Sequence, residues 1–130
     1  MSEKNIKTEE LHITDSKGNS KIVLAVKDDI ATIQFNQKEG KPGMSITLDQ
    51  DGLAAIKLVN PNPELPSTIL EVDDKGTHIR FDHPKGNSAY LFLNNAGASG
   101  IVMNAAKEDR RYQVVVSENG EVIIKNMDVE

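Results

Sequence analysis

The sequence predicts an all-β fold built from units of about 22 residues, each holding two short strands, in roughly five and a half copies. Three observations predict it. Apolar residues recur at Leu11, Ile33, Ile56, Ile79, Ile101 and Ile123, at steps of 22, 23, 23, 22 and 22. Within each unit apolar and polar residues alternate, as in Met44-Ser45-Ile46-Thr47-Leu48 and Ile33-Gln34-Phe35, which puts one set on one face of a pleated strand. A glycine then follows the second strand of four units, at Gly52, Gly76, Gly97 and Gly120, where a tight hairpin turn needs positive φ.

The elements follow in chain order. Residues 1–10 are charged and non-periodic, which predicts a flexible lead-in without a signal-peptide apolar region. Residues 11–127 carry the repeat without interruption and predict a single domain; residues 128–130 are expected to fray. The second strand of each unit is marked by Leu24, Ile46, Leu70, Leu91 and Val114. The turns that follow read Asp49-Gln50-Asp51-Gly52, Asp73-Asp74-Lys75-Gly76, Asn94-Asn95-Ala96-Gly97 and Ser117-Glu118-Asn119-Gly120. The first unit departs from this, with Lys27-Asp28-Asp29-Ile30 and no glycine.

The other connections are longer and more variable. One of them, residues 60–66, holds three of the five prolines and reads as a firm loop, because proline is poorly tolerated inside a sheet. Residues 104–108 have room for one helical turn and no more. The count is about eleven strands near five residues each. The Asp-Gly and Asn-Gly turns favour an antiparallel meander curled into a barrel or sandwich. The in-register aliphatic ladder also fits the alternative, a β-solenoid with parallel stacking.

Composition narrows the function. Hydrophobic content is 38% and aromatic content 4%, with no Trp, so the expected core is aliphatic. The net charge is −5 with no basic stripe, which argues against nucleic acid and against anionic membranes. The absence of cysteine removes disulfides, thiol catalysis and thiolate metal sites. With no membrane-length apolar run, the chain reads as a cytoplasmic protein.

The turn pattern, an acidic residue or Asn, two variable residues, Gly and an alternating strand, resembles the hairpin repeats of YD-repeat shell proteins. It is also similar to the β-rich repeats of bacterial spike and fibre proteins. The pairs Leu48-Asp49, Val72-Asp73 and Leu93-Asn94 stand where YD repeats carry Tyr-Asp. The resemblance implies a structural or assembly role.

Candidate chemistry is sparse. His78-Ile79-Arg80-Phe81-Asp82-His83 is the densest ionisable run, and on a strand His78, Arg80 and Asp82 share a face. A base at His78 oriented by Asp82 competes there with a solvated strand face, and the latter is favoured. His78 and His83 lack a third metal ligand at a recognisable spacing. Asp49-Gln50-Asp51-Gly52 begins like a calcium loop without its remaining ligands, so a turn explains it. Arg110-Arg111 beside Tyr112 reads as a loop salt-bridged to Glu108 and Asp109.

In the later strands the polar positions become apolar: Tyr90, Phe92, Val115 and Ile124 sit beside the repeat positions. Strands apolar on both faces are usually covered on both: first by a loop or neighbouring strand layer of the same chain, next by self-association, and last by a ligand. On the self-association reading these four are the candidate interface. The expected function is a non-enzymatic structural or interaction module of β-hairpin repeats that self-associates as a homo-oligomer, with no cofactor. The alternative is a small-ligand-binding β-barrel.

Overall fold

The computed structural model describes residues 4–107 and 110–127. It contains eleven strands: β1 (Glu10–Thr14), β2 (Ser20–Lys27), β3 (Ile30–Asn36), β4 (Pro42–Leu48), β5 (Ala54–Leu58), β6 (Ser67–Val72), β7 (Gly76–Asp82), β8 (Ser88–Asn94), β9 (Ser99–Asn104), β10 (Arg111–Val116) and β11 (Val122–Met127). They form one sheet in chain order, each strand antiparallel to the next. The meander is therefore the observed topology. Among the described residues β1 and β11 do not pair, so the sheet is not closed. The expected ligand-binding barrel needs an enclosed interior, which an open sheet does not provide. The expected fraying of residues 128–130 lies outside the described residues.

Turn chemistry explains the connectivity. The Asp49 carboxylate accepts the backbone N–H groups of Asp51 and Leu53 at 2.9 Å each, and Gly52 takes φ 80°. An aspartate held this way mimics one strand of the turn with its own side chain. The first hairpin manages without glycine because Asp28 and Asp29 adopt φ 52° and 62°, a left-handed conformation that Asp tolerates better than most residues. A single 3-10 turn at Lys38–Gly40 is the only helical element among the described residues. Residues 105–107 form no helical turn, and Glu108 lies outside the described residues.

Pairing registers sort the side chains onto two faces. One cross-strand row runs through all eleven strands: Leu11, Leu24, Ile33, Ile46, Ile56, Leu70, Ile79, Leu91, Ile101, Val114 and Ile124. A flanking row carries Ile13, Ile22, Phe35, Met44 and Leu58, then Phe81, Met103 and Tyr112. No charged residue lies in either row. The opposite face is mixed, with Lys57, Glu71, His78, Arg80 and Lys125 among Tyr90, Phe92 and Val102.

The aliphatic ladder is not a closed core. Ile33 is 39% exposed and Leu91 52%, whereas Val102, on the mixed face, is 1% exposed and the only buried hydrophobic among the described residues. The reason is geometric. The main strand contacts all run between sequence neighbours, so no second layer covers the ladder. On the mixed face Val102 lies directly opposite Tyr90, beside the Tyr90–Phe92 ring pair and the Arg111 guanidinium that reaches Tyr90, and such long side chains cover a neighbour with their stems and rings.

Candidate functional site

The four residues expected at an interface do not share a face. Tyr90, Phe92 and Val115 lie on the mixed face and are half-buried. Ile124 pairs with Val114 in the aliphatic row and is 63% exposed. Its neighbour Ile123 pairs with Val115 instead. Ile123 therefore leaves the series that starts at Leu11, and Ile124 replaces it. The signal was in the turn. Ile56 and Ile101 each stand four residues after a turn glycine, and the residue four after Gly120 is Ile124.

On the mixed face, Tyr90 and Phe92 lie with ring centroids 5.9 Å apart at an interplanar angle of 44°. Gly100, the cross-strand partner of both Phe92 and Val115, makes room for them. A Cβ there would sit 3.0 Å from a Phe92 ring carbon and 2.6 Å from the Val114 carbonyl oxygen. Tyr90 accepts a hydrogen bond from the Arg111 guanidinium at 3.3 Å, and Val102 lies opposite Tyr90 on β9. Arg111 is thus engaged with the mixed face; Glu108 and Asp109, its expected partners, lie outside the described residues.

Beside this patch is a groove of about 630 Å³, lined by Asp73, His78, Arg80, Tyr90, Phe92 and Asn95 among others. His78 does not pair with Asp82. The His78 Nε2 is 2.8 Å from the Glu71 carboxylate directly across β6–β7, and its Nδ1 is 3.7 Å from Asp73. Asp82 instead accepts from Arg80 Nε at 2.6 Å. That hydrogen bond, ahead of the charges of Asp82 and Glu71, raises the Arg80 pKa above its ordinary value. Backbone N–H donors, first Lys75 and also Gly76, hold the Asp73 carboxyl below the ordinary carboxylate range.

Glu71, Asp73 and His78 each offer one ligand atom, all within 4.8 Å of one another. These are the residues that a divalent cation would use, and Glu71 is the partner that spacing along the chain did not reveal. One feature opposes a cation there: the Arg80 guanidinium stands 3.8 Å from the same Glu71 oxygen. His83 lies apart in the β7–β8 turn, where its Nδ1 accepts from the Lys85 N–H at 3.1 Å. The network acts as a cross-strand clamp between β6 and β7.

No protein-family model matches the chain, and no curated protein matches it. No helix among the described residues is long and apolar enough to cross a membrane.

Proposed function

We propose that this chain is a non-enzymatic structural or interaction module that self-associates through its aliphatic face. One observation carries the reading. Of the 22 exposed large hydrophobics among the described residues, Ile6 and Leu65 lie outside strands and Ile30 on the mixed face; the other 19 all lie on the aliphatic face. Half-exposed residues in that number leave on the order of 1,000–1,500 Å² of apolar surface in water, against roughly 300–600 Å² for the largest patch on a typical monomer. The same area exceeds the ~800 Å² that each partner buries in a standard interface.

The occupant is a second copy of the chain. The face carries no charge in its two central rows, so two copies meeting there bring no like charges into direct contact. A sheet face that packs on its own copy makes an isologous, two-fold contact. Sheets stacked this way sit ~10 Å apart with interdigitated side chains.

The test is the double variant Leu70→Lys with Leu91→Lys, both central in the ladder. Sedimentation velocity should show the face-to-face assembly lost while the β-sheet circular dichroism persists. An unchanged sedimentation coefficient would refute the reading.

A further inference from the structure

The two edges of the sheet are unlike. The β1–β2 pairing is irregular: Ile13 lies opposite Ile22 but Thr14 opposite Ser20, so Lys21 of β2 is skipped. The Thr8 hydroxyl donates to the Glu10 carbonyl at 3.0 Å and accepts the Glu10 N–H at 3.4 Å, occupying backbone groups of that edge. His12 sits between Glu10 and Ser20. Bulges and polar side chains are the usual means of blunting an edge against pairing. By contrast, β11 pairs with β10 in unbroken register, and Val122 and Ile124 are 61% and 63% exposed.

We infer that β11 is a strand-pairing edge whose partner is β11 of a second copy. Topology selects this partner. With eleven antiparallel strands, β1 and β11 run in the same direction. A head-to-tail junction of β11 with β1 would be parallel and would break the meander pattern. Pairing β11 with its own copy across a two-fold axis is antiparallel and continues it.

Charge selects the register. An axis perpendicular to the sheet keeps each face on its own side, so a residue must meet one of the same parity. With the axis at Ile123, Val122 faces Ile124, and Glu121 faces Lys125 on both sides of the axis. Val122 and Ile124 both belong to the aliphatic face, so that face continues across the junction. Shifting the axis to Ile124 sets Ile123 against Lys125 and Val122 against Asn126. Shifting it to Lys125 opposes two lysines. Neither Glu121 nor Lys125 forms an ion pair among the described residues, so both are available to the partner. Opposite charges placed directly across an antiparallel pair favour pairing, and like charges oppose it.

Val122 and Ile124 belong to the edge and to the aliphatic face alike, but pairing of β11 with its own copy runs through backbone groups and the Glu121–Lys125 charges and does not rest on face-to-face stacking. The experiment therefore uses the Leu70→Lys, Leu91→Lys background, in which only the edge remains. Lys125→Glu places Glu opposite Glu121 on both sides of the axis and should weaken the dimer about ten-fold in dissociation constant. Adding Glu121→Lys restores opposite charges and should recover the dimer. In the otherwise unaltered, cysteine-free chain, Ile123→Cys should give a disulfide-linked dimer on oxidation, because directly opposed antiparallel residues lie at Cα distances of about 4.5–5.5 Å, within disulfide reach. A Lys125→Glu variant that dimerises as before overturns the proposal. So does a charge reversal that fails to recover the dimer, or an Ile123→Cys chain that stays monomeric on oxidising gels.

Discussion

Gly76→Ala tests the meander register at its tightest point. Gly76 is buried at the start of β7 with φ 151°, opposite Asn94 of β8. A Cβ there would lie 2.6 Å from the Asn94 Cα and closer still to the Leu93 carbonyl oxygen. Both neighbours are backbone and cannot swing aside. Two costs add: positive φ for a non-glycine residue, about 1 kcal/mol, and a forced backbone shift, about 1–3 kcal/mol. Gly52→Ala supplies the control. Gly52 has φ 80° but nothing within 4 Å of its Cβ position, so it pays the conformational cost alone. The difference between the two variants carries the close approach of β7 to β8 together with the stricter φ of Gly76, 151° against 80°, and should be about 2 kcal/mol in favour of Gly52→Ala. Urea unfolding at one fixed protein concentration measures it, because association shifts apparent stability with concentration. Equal midpoints for the two variants would refute the packing of Gly76 against β8.

Two further predictions concern the mixed face and its turns. Asp73 has a depressed pKa in the folded chain, so its contribution is present above its ordinary value of 3.8 and is lost as pH falls through the folded value. Asp73→Asn should therefore flatten the acid limb of a stability profile below pH 3.8, and an acid limb identical to that of the unaltered chain would contradict the assignment. Gly100→Ala should push the Phe92 ring off β9 and cost about 1–3 kcal/mol, visible as a lowered melting temperature with changed aromatic ring shifts in the NMR spectrum.

Much of the fold was legible because the turns and the alternation are local. Asp49-x-x-Gly52 and its equivalents fix hairpins, and the two-residue period fixes which side chains share a face. What local pattern does not carry is whether anything covers that face. Ile33, Leu70 and Leu91 read as interior positions, yet they stand half exposed because no second layer covers them. The last strand shows a second limit. Ile123 and Ile124 are both apolar, so alternation alone leaves their faces undecided, and turn length settles it. The Glu71–His78 pair was hidden for a third reason. The two are seven residues apart, and only the register of β6 on β7 sets them opposite each other.

The central claim is that a second copy covers the aliphatic face. The most direct test is the mass of the Lys125→Glu variant by light scattering coupled to size-exclusion chromatography, since that variant weakens the edge and leaves the face intact. The account predicts at least twice the 14.2 kDa of one chain. A mass of 14.2 kDa at micromolar concentration would contradict it.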